Sequence, residues 1–219
     1  MVPLGRGGTR HVGAAATFPL VRPFYDDLAR DPTGAAQTIS SLRWVVAHLM
    51  LIVALVLLPF GLLTVFAELT SNNARRLGFV GMVVGIAGAG LYLPVGGVEA
   101  FALPAIARSY LEGQIVTLDL IDATRAGLRA TVFAPGLVLL GLGGIFTAMA
   151  VWRSPRLPRL AGVPLAVGLV FFLPLLPQGV RIIDGVLIGI GEIWLAYMFW
   201  QVASNSTVTQ VSPMSAEAA

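Results

Sequence analysis

Four ionisable side chains interrupt otherwise apolar sequence: His48, Glu99, Asp184 and Glu192. In hydrocarbon such a group must be paired, protonated or lining a cavity, and it is a functional candidate by default. Three carboxylates and one imidazole could relay a proton or hold a cation. Tyr92 adds a phenol in the same kind of surroundings. Together these five residues form a candidate intramembrane polar site.

The surrounding sequence excludes much other chemistry. There are two histidines, and the second, His11, stands near the N-terminus. His48 is followed by Leu49 and Met50, so the two-histidine metalloprotease spacing is missing. The chain has no cysteine, which removes disulfides, thiolate metal sites and thiol nucleophiles. All 14 basic residues are arginine, so a P-loop, which needs lysine, cannot form. No serine falls within the apolar stretches to serve as an intramembrane nucleophile. No catalytic residue, metal or cofactor is expected, and an enzyme is the less favoured class. The formal charge of +3 is scattered over short connections and lacks a basic run, which argues against nucleic acid.

Composition says what must position the polar residues. Of 219 residues, 57% are hydrophobic and 11% charged. A soluble domain has about 45–50% apolar and about 25% charged residues. The mean hydropathy of +0.85 agrees. These values specify an integral membrane protein. A helix needs about 20 residues to cross the hydrocarbon core, and backbone polar groups there must be bonded within the segment. Charge-poor stretches of that length predict an all-α bundle with five spans, at about 44–67, 77–104, 130–152, 160–180 and 182–203. Pro59, Pro94, Pro164 and Pro174 are expected to kink helices without dividing them.

Outside the 44–203 membrane domain, residues 1–43 form an N-terminal arm, with room for an interfacial helix between Pro19 and Ser41. No apolar run follows Arg6 and Arg10, so the arm does not read as a cleaved signal peptide. Residues 105–129 are expected to form a helix on the membrane surface, with Val116, Leu120, Ala123 and Leu128 toward lipid. On that helix Glu112, Asp119, Asp122, Arg125 and Arg129 would face water. Residues 204–219 read as a disordered tail.

Five spans put the termini on opposite faces, here called side A for the N-terminus and side B for the C-terminus. Arg6, Arg10, Arg22, Arg30, Arg43, Arg108, Arg125, Arg129 and Arg181 fall on side A. Arg75, Arg76, Arg153, Arg156 and Arg159 fall on side B. The imbalance favours a cytoplasmic N-terminus and an outer C-terminus. Counting 1.5 Å per residue, His48 lies about 6 Å and Glu99 roughly 7–8 Å in from side A. Asp184 lies about 3 Å in, and Glu192 about 15 Å in, level with Tyr92. Arg43, Arg108 and Arg181 are the cations expected to neutralise the side-A carboxylates.

Small residues mark packing faces: Gly81 with Gly85, Gly185 with Gly189, and Gly144 with Ala148. Packing within the chain is favoured over a dimer contact. Trp44, Trp152, Trp194, Tyr197 and Trp200 suit interfacial belts.

Several stretches carry a likeness. The chain reads RWVVAH from Arg43 to His48, GIAGAGLYLPVGGVEAFALPA from Gly85 to Ala105, PRLAG from Pro158 to Gly162 and WLAYMFW from Trp194 to Trp200. Over about residues 40–203 it resembles uncharacterised multi-pass membrane proteins of GC-rich bacteria, some known only as domains of unknown function. The resemblance implies a helical protein of the inner membrane and assigns no catalytic residue or ligand.

Three functions compete. The first is a non-catalytic accessory, scaffold or sensor component, whose partners are membrane lipids, another membrane protein or a second copy of the chain. The second is a small proton- or cation-coupled transporter using Glu192. The third is an enzyme subunit sharing a cofactor with another chain.

Overall fold

Helix starts follow from side-chain caps. The computed structural model describes residues 30–114, 117–172, 183, 185–195 and 197. Every regular element among them is helical. Helix α1 covers Pro32–Ile39, with Asp31 accepting from the Gly34 N–H at 2.9 Å and proline in its first turn. Helix α2 covers Leu42–Glu68 and is capped by Ser41, which accepts from the Trp44 N–H at 3.2 Å. Helix α3 covers Asn72–Gly97 and is capped in the same way by Ser71. These caps begin α2 and α3 ahead of the expected 44 and 77, because a hydroxyl that satisfies orphan N–H groups starts a helix before hydrophobicity does.

Two wide turns then appear, each just ahead of a proline. A π-helical turn at Val98–Ala102 leads into α4, Leu103–Leu111, with Pro104 in the first turn of α4. Helix α5, Thr117–Leu128, passes through a second π turn at Arg129–Phe133 into α6, Ala134–Trp152, with Pro135 in its first turn. A proline inside a helix has no N–H and presses its ring on the carbonyl four residues earlier. Opening the preceding turn relieves that clash and keeps the helix line running. The prolines within α2 and α3, Pro59 and Pro94, likewise leave their helices continuous.

Helix lines Leu42–Glu68, Asn72–Leu111 and Asp119–Trp152 are therefore long and apolar enough to cross a membrane. Among the described residues three helices reach that length. Val163–Phe171, here α7, stops at Phe172, and Gly185–Leu195, here α8, is a shorter apolar helix. The N-terminal arm before Arg30, the 204–219 tail and Asp184 lie outside the described residues.

The line from Asn72 to Leu111 has 40 residues, which is about 60 Å of helix and about twice the hydrocarbon thickness. Its excess leaves side A as α4, which turns back into α5. Gly113 makes that turn with φ of +101°, and Gln114 N–H reaches back to the Ser109 carbonyl at 3.1 Å. A left-handed residue here favours glycine. The region expected to lie on the membrane surface is thus a helical hairpin in line with two of the long apolar helices. Ile121 is fully buried, whereas Leu120 is exposed. Ile121 packs on protein: Ala36, Ile39, Trp44, Leu103, Ala107 and Ile121 form one apolar cluster.

The larger core lies between the long apolar helices. Helices α3 and α6 make the most extensive pair, followed by α2 with α3 and α6 with α7. Small residues set the α3–α6 contact: Gly81, Gly85 and Gly88 face Gly136, Gly143 and Thr147 at backbone distance. Gly185 and Gly189 are buried in α8. Their neighbours Ile188 and Gly191 reach Gly168 and Leu165 of α7.

Candidate functional site

Trp44 and His48 stand one turn apart on α2, near its side-A end. Both are buried, at 0% and 2% exposure. The His48 Nδ1 lies 2.8 Å from the Trp44 carbonyl oxygen. A carbonyl only accepts, so Nδ1 carries the hydrogen and donates. The ring also packs on the Trp44 indole, with centroids 4.5 Å apart. This fixes the opposite nitrogen: Nε2 faces the Glu99 carboxylate at 3.9 Å. That separation is ion-pair range for a protonated ring and too long for a direct hydrogen bond.

Glu99 sits inside the first π turn. The Leu103 N–H bonds to the Val98 carbonyl rather than to that of Glu99, and residue 104 is proline. The Glu99 carbonyl therefore has no donor from its own helix. The Trp44 indole N–H supplies one at 2.8 Å. This is why Trp44, expected in an interfacial belt, is instead fully buried. Replacing Trp44 by Phe should cost about 1–3 kcal/mol, the penalty for an orphaned buried carbonyl. Thermal unfolding in detergent would show it, and a loss below about 0.5 kcal/mol would mean that water replaces the indole.

The Glu99 side chain meets Arg125 of α5. Arg125 Nε donates to Oε1 at 3.1 Å, and a terminal nitrogen donates to Oε2 at 3.1 Å. The pair is mostly enclosed, with side-chain exposures of 19% and 15%. Arg125 shares a helix face with buried Ile121, four residues earlier. The sequence pattern instead turns Arg125 to water and offers Arg43, Arg108 and Arg181 as the neutralising cations. The structure turns Arg125 inward because the Glu99 carboxylate needs a partner and the planar guanidinium matches both its oxygens.

The structure thus joins His48 and Glu99, which sequence depth alone placed at one level. It does not bring Tyr92 or Glu192 to them. Tyr92 lies about two turns from Glu99 along its helix line. Its ring packs on Phe133 and Phe172 at 5.5 and 5.9 Å. Glu192 follows Gly191, which closes on Leu165 in the first turn of α7. Gly162, just before α7, touches Ala148 of α6, whereas Tyr92 touches Gly136. Glu192 therefore lies roughly 15–18 Å along the α6 axis from Tyr92, toward side B rather than level with it. The packing of Gly191 on Leu165, in the first turn of α7, sets this level. Among the described residues no hydrogen-bond or ion-pair partner faces Glu192, and no three of His, Cys, Asp and Glu gather as a metal site.

What this arrangement can do follows from its charges. A carboxylate held at both oxygens by a guanidinium and faced by an imidazole is a buried latch between α2, the end of α3 and α5. No family model matches the chain, and no curated protein or solved structure matches it either.

Proposed function

We propose that the chain is a multi-pass protein of the bacterial inner membrane that acts without catalysis, as an accessory, scaffold or sensor component binding a partner or lipid. One observation carries this reading: Arg125 closes on both oxygens of Glu99. A charge committed to a neighbouring helix anchors structure. It holds the α4–α5 hairpin, a helical platform beyond side A, in a fixed position for a partner to meet. The likeness to uncharacterised membrane proteins of GC-rich bacteria supports the same class, since its RWVVAH and GGVEAF segments carry Trp44, His48 and Glu99. Within this reading α7 and α8 begin the fourth and fifth spans, with the N-terminus cytoplasmic and the C-terminus outside.

The test is a native mass spectrum of protein extracted from its own membrane in mild detergent. Mass beyond the 23.0 kDa chain, from a second polypeptide or from lipid, is the expected result. A bare chain would overturn the proposal.

The second reading, a proton- or cation-coupled transporter, is favoured by Glu192 alone, a carboxylate on an apolar helix without a partner among the described residues. It requires Glu192→Gln to abolish pH-driven flux in proteoliposomes while Glu68→Gln, at the end of α2, leaves it intact. Equal fluxes for the two variants would remove Glu192 from consideration.

A further inference from the structure

A cleft of about 450 Å³ opens between the last two turns of α6 and the first turn of α7. Its wall is apolar along Ile145, Ala148, Met149, Ala166 and Val167. At its side-B end stand Trp152 and Arg153. Ile145, Met149 and Trp152 are each exposed by 39–49%, so the cleft faces outward from the bundle. From Ile145 to Arg153 it spans about 12 Å of helix, running from the membrane surface into hydrocarbon.

The mouth is positive. Arg153 lines it, and Arg156 and Arg159 are exposed in the segment that joins α6 to α7. No acidic residue stands anywhere from Ala123 to Ile183. Glu192 is the one carboxylate on the described helices packed against α7, and it leaves the arginines in excess. The end of α6 and the start of α7 meet here with opposite macrodipole signs, which offset each other, so the field comes from the side chains.

We infer that this cleft holds one acyl chain of an anionic phospholipid from the side-B leaflet, with the headgroup phosphate on Arg153. Apolar walls suit hydrocarbon, and the indole of Trp152 suits the headgroup boundary. A guanidinium matches phosphate oxygens in pairs. A zwitterionic lipid would fill the walls equally well but gain less from the mouth, because its own cation offsets the phosphate. Attraction of a surface arginine to an anionic lipid corresponds to about fivefold in affinity. The inference deepens the lipid-binding part of the proposed function and rests on that reading.

The experiment uses the full chain in phosphatidylcholine nanodiscs. Lipid with brominated acyl chains, either phosphatidylglycerol or phosphatidylcholine, is added in steps, and Trp152 quenching is the wild-type signal minus that of Trp152→Phe. Half-quenching by phosphatidylglycerol is expected at an about fivefold lower mole fraction than by phosphatidylcholine. Arg153→Gln should erase that difference and leave the phosphatidylcholine curve unchanged. Val167→Phe, which narrows the cleft, should weaken quenching by both lipids.

Identical curves for the two lipids in wild type would overturn the inference, as would an unchanged preference in Arg153→Gln. Absence of quenching by either lipid would overturn it too, showing the cleft covered by protein. Because the purified chain is tested without a partner, this result is separate from the mass spectrum that tests the function.

Discussion

Removing either side of the Arg125–Glu99 pair should cost about 3–5 kcal/mol, the loss expected when one partner of an enclosed ion pair is left without the other. Arg125→Met strands a carboxylate inside the protein, and Glu99→Gln strands a guanidinium. The double variant carries neither charge, so it should cost no more than either single change, a coupling of at least about 3 kcal/mol between the two sites. Arg125→Lys should recover only part of the wild-type stability. An ammonium is a point charge and cannot span both carboxylate oxygens, as the guanidinium does at 3.1 Å each. Unfolding of the detergent-solubilised chain by denaturant would give all four values. High salt should change them little, because the pair is mostly enclosed and poorly screened. Single variants within about 0.5 kcal/mol of wild type would instead match a solvated surface bridge, and the cluster would lose its role as a latch.

Helix α4 packs on α1 with Leu103 and Ala107 buried, so within the hairpin the pair bears chiefly on α5. Helix α5 meets the bundle through Ile121 and Arg125 on one face. Ile121 joins an apolar cluster with Trp44, Leu103 and Ala107. That cluster and the charge pair share Trp44, whose indole also satisfies the Glu99 carbonyl. Stability losses at Trp44 and at Glu99 should therefore be non-additive, as expected for groups in one network.

The common depth of His48 and Glu99 was legible in the sequence, because it needs only a residue count and the helical rise. That count set His48 and Glu99 at one level, and they meet at 3.9 Å. Rotation about each helix axis was not legible. The arginine chosen by Glu99 depended on it, and periodicity did not single out Ile121 as the residue of α5 that packs on protein. A helix packed on protein turns toward the partner that a buried charge demands, even when its apolar residues would suit lipid on another face. Pro104 and Pro135 each follow a widened turn by two residues. Proline alone, however, does not say whether a helix will break, kink or open by one residue. Glu192 was misplaced for a related reason. Its depth was counted from an assumed start of a fifth span at the side-A surface, whereas the packing of Gly191 on Leu165 sets it nearer side B.

The small-residue face of α3 supports the second large effect. Gly81 and Gly85 were singled out as a packing pair, yet the closest backbone approach on the same face is one turn further along, at Gly88. A Cβ built on Gly88 would fall 2.5 Å from the Leu140 nitrogen and 2.9 Å from the Gly136 carbonyl oxygen of α6. On the other side of the contact, a Cβ on Gly143 would fall 2.6 Å from the Gly85 Cα. These neighbours are backbone atoms of a packed helix, so no side chain can swing aside. Gly88→Ala and Gly143→Ala should each force α3 and α6 apart and cost about 1–3 kcal/mol. Gly90→Ala gives the contrast, since nothing lies within 4 Å of a Cβ there. Alanine is the better helix former by about 1 kcal/mol, so that variant should be neutral or slightly stabilised. Opposite signs at two positions only two residues apart would tie the effect to the α3–α6 contact rather than to helix propensity. Should Gly88→Ala unfold no earlier than Gly90→Ala on heating, the two helices do not pack at backbone distance, and the relative depths of the side-A cluster and Glu192 would have to be redrawn.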